Sequence, residues 1–340
     1  MTSKQMKGSE LIVSDDGTVY HLQLKKRDIP KNIILVGDPE RAYQIAKHFD
    51  SEILFEKKNR EFITLVGKIN LMELNPGVYQ KMPVAVIGTG IGPDNTEIVA
   101  AELHALNEYC NKNKIWKEKY KPLNIIRVGT SGSPQKNIPV GSLGVGKYAI
   151  GLDNLGLYYP YKSKDKTLNK ILSSLKKTEI SKVNPYVSKS TPKVLEAIVK
   201  ACESIGLKNG EGKGYYIGIT TSAPGFYAPQ GRKIGRLDDI LIPNLQEILS
   251  TIDVDGLKAV NNEMESSAIF RILGEKLGYN VGAVCAVIAN RNTGEFIAPE
   301  EYINSVDRAI QVGLNALKIF KLQECTCIVC KAELEKLLKK

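Results

Sequence analysis

Ile33-Ile34-Leu35-Val36 runs directly into Gly37-Asp38-Pro39-Glu40-Arg41, and this junction decides how the chain is read. Four apolar residues closed by a glycine read as a buried strand that stops at a tight loop. The same arrangement recurs in Val84-Ala85-Val86-Ile87 before Gly88 and, with one arginine inside the run, in Ile125-Ile126-Arg127-Val128 before Gly129. Further strands are expected at 62–66, 143–150, 215–220 and 282–288. Between them the spacing turns helical. Leu195, Ile198, Val199, Cys202 and Ile205 keep the i, i+3, i+4, i+7 pattern, and similar rows mark 263–277 and 306–320. Strands interleaved with helices place the chain in the α/β class, with a sheet covered by helices. In open sheets of this kind ligands bind beyond the carboxyl ends of the strands, where the glycine loops fall.

The composition is that of a globular protein. Hydrophobic residues make up 43% and charged residues 25% of the 340, which excludes wholesale disorder. Nothing resembles a linker, so one domain is expected over 1–340, with a core of about 20–320. Residues 1–10 and 323–340 are expected to be peripheral and loose, and insertions are expected near 67–82 and 110–122. The opening MTSKQMKGSE is polar, and no signal peptide or membrane span is expected. The net charge of +10 suits an anionic partner. The lysine runs alternate with acids and polar residues, as solvated faces do, so nucleic acid is not expected. Six cysteines in so long a chain do not make a disulfide framework, and a reduced, cytoplasmic setting is expected. Cys325, Cys327 and Cys330 crowd together, but His21, His48 and His104 lie far upstream and no fourth ligand is near. They read as a reduced tail, and no metal is expected.

Four constellations carry chemistry. Gly37-Asp38-Pro39-Glu40-Arg41 combines a close backbone approach, a helix start with free amides and a guanidinium, which together suit an anion. Arg127-Val128-Gly129-Thr130-Ser131-Gly132 puts an arginine inside an apolar strand, which demands an anionic partner: a phosphate, or an internal acid. Gly88-Thr89-Gly90-Ile91-Gly92 adds a third close approach but lacks the GxGxxG spacing, and there is no Walker sequence. Asn261-Asn262-Glu263-Met264-Glu265-Ser266-Ser267 is read as a helix start. On one helix Glu263 and Glu265 could not share a face. A carboxylate there suits a sugar diol, or simply the helix dipole. Phe226-Tyr227-Ala228-Pro229-Gln230-Gly231-Arg232 brings together an aromatic, an amide and a guanidinium, groups that suit a planar heterocycle or an ordinary surface loop.

In this order, from about His21 to about Leu317, these motifs resemble the nucleoside phosphorylase-I family. Asn59-Arg60-Glu61-Phe62 and Asn290-Arg291 add to the match, and Gln230-x-Arg232 points to its pyrimidine branch. The resemblance implies a single α/β domain with a distorted central mixed sheet flanked by helices. It implies reversible phosphorolysis of uridine to uracil and ribose 1-phosphate, with phosphate as co-substrate and no cofactor. Gly37, Arg41, Arg60, Arg127 and Thr130 would hold phosphate. His21, Met264 and Glu265 would hold ribose, supported by Glu263, and Phe226, Gln230 and Arg232 would hold uracil. Arg127, Arg232 and Glu265 would carry the catalysis. Arg60 and His21 would reach across from a neighbouring subunit, in a dimer or a trimer of dimers.

The chain departs from the family pattern at Asn59, where many relatives have histidine, and at Pro134. The alternatives are a purine nucleoside phosphorylase, a hydrolytic nucleosidase and a catalytically silent nucleoside-binding protein. The first is disfavoured because Val287-Ile288-Ala289-Asn290-Arg291 lacks the aspartate that purine enzymes tend to use.

Overall fold

The computed structural model describes residues 7–338. Its contacts divide the chain into two compact units, Met1–Ile125 and Ile126–Lys340, described in turn. The fold class is α/β: mixed β-sheet flanked by α-helices.

In the first unit, β1 (Asn32–Val36) is buried at every position and ends at Gly37. It leads into α1 (Pro39–Ala46), whose first turn is capped by Asp38, which accepts from the Glu40 amide. The expected free amides are thus partly claimed by the motif's own aspartate. β2 (Phe55–Asn59), β3 (Phe62–Asn75) and β4 (Val78–Gly88) follow. The strand order is β1-β4-β3-β2, with β1 parallel to β4 and the others antiparallel. The stretch 67–82 is the outer part of the long β3–β4 hairpin. β3 therefore runs well past the expected 62–66: in its outer arm buried Ile69 and Leu71 alternate with exposed Lys68 and half-buried Asn70 and Met72, so no unbroken apolar run marks the extension. α2 (Pro93–Glu108) starts behind Gly92, whose φ of +101° no bulky residue adopts readily. A small hairpin, β5 (Tyr109–Cys110) with β6 (Ile115–Trp116), occupies the stretch expected as the second insertion.

β7 (Asn124–Ser133) falls almost wholly in the second unit, which continues with β8 (Leu143–Gly151), α3 (Leu155–Tyr158), α4 (Lys166–Leu175), β9 (Tyr186–Lys189), α5 (Pro192–Ser204) and β10 (Tyr215–Ser222). Then come α6 (Leu245–Thr251), β11 (Asp253–Val254), β12 (Leu257–Glu263) and α7 (Ser266–Ala268), which passes into a π-helix over Ile269–Lys276. β13 (Asn280–Asn290), β14 (Glu295–Phe296), α8 (Pro299–Gln323) and α9 (Ile328–Leu338) complete it. The order is β11-β12-β10-β8-β13-β7, with β9 on β8 and β14 on β13. Helices α5 and α8 pack on β13 and on each other.

Two expectations are corrected here. Residues 261–263 end a strand, and the helix begins only at Ser266. The tail is not loose over its described part: α9 packs on α5 and α8 and buries Cys330. Residues 1–6, 339 and 340 lie outside the described residues, among which no helix is long and apolar enough to cross a membrane.

The π-helix carries a buried pair. Arg271 donates to the Val187 carbonyl at 2.9 Å and lies 3.2 Å from the Glu275 carboxylate. Burial pushes the Glu275 carboxyl up to about 7 despite Arg271 and Lys189. The folded chain then holds a proton between pH 4.5 and about 7 that the unfolded chain has released. The associated stability is present below the lower value and lost as pH rises through the upper one. Melting curves of the native protein should therefore fall from about pH 5 to about pH 8, and Glu275→Gln should flatten that fall. Parallel curves for the two proteins would refute the assignment.

Candidate active site

In the second unit the site is organised around Arg127, in the middle of β7 and only 4% exposed. Its Nε donates to Glu263 Oε2 at 2.8 Å, and its Nη2 donates to Glu265 Oε2. Both carboxylates therefore meet one guanidinium. They can do so because Glu263 ends β12 and Glu265 is the N-cap of α7, so the helical face rule that separated them does not apply. Burial would push the Arg127 guanidinium down; Glu265 and Glu263 more than reverse this and hold it above its ordinary value. The anionic partner demanded by an arginine in an apolar strand is thus an internal pair of acids. Gly129 makes room for it: a Cβ there would lie 3.0 Å from Arg127 Nη2 and 2.9 Å from the Cys285 sulphur. Thr130 follows, half-buried.

Glu263 has a second task. Its carboxylate accepts from the amides of Glu265 at 3.0 Å and Ser266 at 3.0 Å, so it caps the helix that presents Glu265. It also accepts from Ser222 Oγ, at the end of β10. The Ser267 amide donates to Ser222 Oγ at 3.0 Å, and Ser267 Oγ donates to Asp153 Oδ2 at 2.8 Å. Tyr186 OH donates to Asp153 Oδ1 at 3.0 Å. Burial pushes the Asp153 carboxyl up, against the hydrogen bonds from Ser267 and Tyr186. Sequence reasoning missed Ser222, Asp153 and Tyr186. They come from three separate strand ends and form no local motif. Met264 lies half-buried between the two glutamates.

The loop after β10 holds the other predicted group. Arg232 Nη1 donates to Gln230 Oε1 at 2.6 Å and to the Phe226 carbonyl, and its guanidinium sits 4.0 Å over the Phe226 ring. Gln230 is buried, and its carbonyl accepts from Arg291 Nη1 at 3.2 Å and Gln246 Nε2 at 2.9 Å. Burial, and then the neighbouring Arg291 charge, push the Arg232 guanidinium down to about 10, so it stays a cation at neutral pH. Phe226, Gln230 and Arg232 are brought together as predicted. Arg291 joins them, though only its motif Asn290-Arg291 had been noticed. Two guanidiniums around one buried glutamine, one on its side-chain amide and one on its main-chain carbonyl, suit a planar group that takes up negative charge.

The first unit holds the remaining candidates in two groups. Glu102, buried on α2, accepts from the His21 and Leu22 amides, each at 2.7 Å, and lies 2.8 Å from His21 Nδ1. A carboxylate only accepts, so Nδ1 carries the proton, and in the neutral ring Nε2 is left as an acceptor. Asn59 Nδ2 donates to the His21 carbonyl at 2.7 Å. Next to it, exposed Arg60 turns the β2–β3 hairpin at φ +53° and donates to Tyr20 OH at 3.2 Å. The second group is Gly37 and Arg41. Arg41 is 5% exposed, lies 4.0 Å from Asp38, and leaves its buried Nε without a partner. A buried donor left unpaired is costly, and an anion would satisfy it.

The sequence pattern of the Phosphorylase superfamily matches residues 31–321, and the chain belongs to that superfamily. A uridine phosphorylase of Thermococcus kodakarensis is 30% identical over 83% of this chain and 81% of its own length. The uridine phosphorylase of Escherichia coli is 25% identical over 88% and 97%. Among solved structures, a nucleoside phosphorylase of Trypanosoma brucei, described as showing uridine phosphorylase activity, is 33% identical, with a TM-score of 0.80 over 90% of this chain and 99% of that one.

If the acids depend on Arg127, its removal leaves two buried carboxylates facing each other without a cation. Arg127→Ala should cost about 3–5 kcal/mol of stability, seen as a lower denaturant midpoint at an unchanged slope. An unshifted midpoint would mean that the pair tolerates the loss.

Proposed function

We propose that this protein is a uridine phosphorylase, catalysing uridine plus phosphate to uracil plus ribose 1-phosphate, reversibly. The observation that carries the base assignment is the joined set of Phe226, Gln230, Arg232 and Arg291. It offers an aromatic face, an amide with both donor and acceptor, and two cations. Uracil presents a ring, an N3–H beside two carbonyls, and a negative charge once its bond to the sugar breaks. The superfamily membership and the uridine phosphorylases among its relatives support the same reading.

In the mechanism, phosphate attacks C1′ while the glycosidic bond breaks and its electron pair passes to uracil. The sugar becomes cation-like between two anions. Gly37, Arg41, Arg60, Arg127 and Thr130 are assigned to phosphate, whose attack they orient. Arg127 can serve only while it also holds Glu263 and Glu265. Its main effect is then to fix Glu265, which with Met264 receives the 2′ and 3′ hydroxyls. His21 Nε2 accepts from the 5′-hydroxyl. Arg232 and Gln230 stabilise the departing base by preorganised hydrogen bonds. Neither a covalent intermediate nor a catalytic cofactor is required. The reading treats the chain as one catalytic domain in the cytoplasm, acting as a dimer or a trimer of dimers.

Release of uracil from uridine should depend strictly on phosphate; equal rates in phosphate-free buffer would indicate a hydrolase. With phosphate saturating, uridine should be preferred to inosine and adenosine, and Gln230→Ala should erode the preference. Sites built on such hydrogen bonds reject mismatched substrates by about 10⁴–10⁵, against about 10–200 for apolar shape. A kcat/KM for inosine equal to that for uridine would defeat the pyrimidine assignment.

Composite sites have their own test. Arg60→Ala and Arg232→Ala should each be nearly inactive, yet regain part of the activity when mixed and reassembled. A fully active monomer in sedimentation would defeat the oligomer, as would exchange of subunits without recovery.

A further inference from the structure

Cys325, Cys327 and Cys330 lie where α8 ends and α9 begins, and none of them is assigned to substrate. Their three sulphurs all lie within 4.8 Å of one another, and those of Cys325 and Cys327 are 3.2 Å apart. A metal ion bound by thiolates at about 2.3 Å holds its sulphurs roughly 3.8–4.0 Å apart, in tetrahedral or trigonal geometry. One separation here is shorter than that and none exceeds 4.8 Å, so small side-chain rotations would close the site. The backbone is already set for it. The Cys330 amide, in the first turn of α9, donates to Cys327 Sγ at 3.4 Å, the kind of outer contact that orients a metal-bound sulphur. Cys330 is buried, while Cys325 and Cys327 reach solvent, which leaves an entry path.

We propose that these three cysteines bind one thiophilic cation per chain, Zn²⁺ or Cu⁺, and so fasten α9 to the end of α8. Soft thiolates select these ions over hard ones. Three thiols surrender three protons as three sulphur–metal bonds form, and no oxidant is consumed. Three sulphurs satisfy Cu⁺ alone. Zn²⁺ takes a fourth ligand from solvent, because no histidine, carboxylate or further cysteine joins the cluster among the described residues. A reduced tail, the reading from spacing alone, gives no role to three sulphurs converging on one point. A disulfide between Cys325 and Cys327 would leave Cys330 unused and would need an oxidant.

The test uses the full chain, reduced and stripped of metal with a chelator. It is titrated with Co²⁺ followed by Zn²⁺ and, in a separate anaerobic arm, with Cu⁺. One equivalent of Co²⁺ giving sulphur-to-metal charge-transfer absorption, displaced by one equivalent of Zn²⁺, supports a four-coordinate site. One equivalent of Cu⁺ bound with no Co²⁺ band supports the trigonal one. The double variant Cys325→Ser/Cys327→Ser spares the buried Cys330. It should weaken binding by more than about 100-fold, beyond the 10–100-fold typical of losing an outer contact, and should leave phosphorolysis unchanged. Absence of uptake in both arms would overturn the proposal. So would equal affinity in the double variant, or recovery of two of the three as a disulfide that excludes metal after expression in a reducing host.

Discussion

A guanidinium buried in a β-strand holds two carboxylates that would otherwise repel each other, and much of the second unit is arranged around that fact. Two acids and one cation leave the group of Arg127, Glu263 and Glu265 with one negative charge. Such a group survives out of water only if its remaining lone pairs are hydrogen-bonded. The chain provides this through the amides at the start of α7, the Ser222 hydroxyl, and a relay through Ser267 to Asp153 and Tyr186. The glycine two residues after Arg127 belongs to the same arrangement, since any side chain there would collide with the guanidinium.

The sequence made some of this legible and hid the rest for physical reasons. β1 and β4 were readable because their buried residues form unbroken apolar runs closed by glycine, and β7 because a single arginine interrupts its run. β12 was not: it ends in Asn261, Asn262 and Glu263, three buried polar residues whose side-chain partners lie on other elements, with Asn262 Oδ1 alone of these left unpaired. Hydrophobic pattern cannot report a polar strand whose hydrogen bonds are supplied from elsewhere. The same cause made Glu263 and Glu265 look like residues of one helix. α9 was passed over because Cys330 is its one buried residue among those described, so little apolar spacing marks it.

The candidate site follows the same division. Local motifs carry their own signal, so Phe226, Gln230 and Arg232 were found together, as were Gly37 and Arg41. Residues that act through others from distant strand ends leave no local trace, and Asp153, Tyr186 and Ser222 were therefore missed. Arg291 is intermediate: its motif was visible, but its attachment to the Gln230 carbonyl exists only in three dimensions.

The loop that carries Phe226, Gln230 and Arg232 is already paired with itself. Arg232 donates to Gln230 and to the Phe226 carbonyl, and its charge rests on the Phe226 ring. An incoming base therefore does not meet idle donors; it enters an exchange in which internal bonds are surrendered and must be replaced. A ligand with the matching edge returns as many as it takes. One without it opens the loop and leaves its polar groups stranded, so the loop's own bonds compete against every wrong guest.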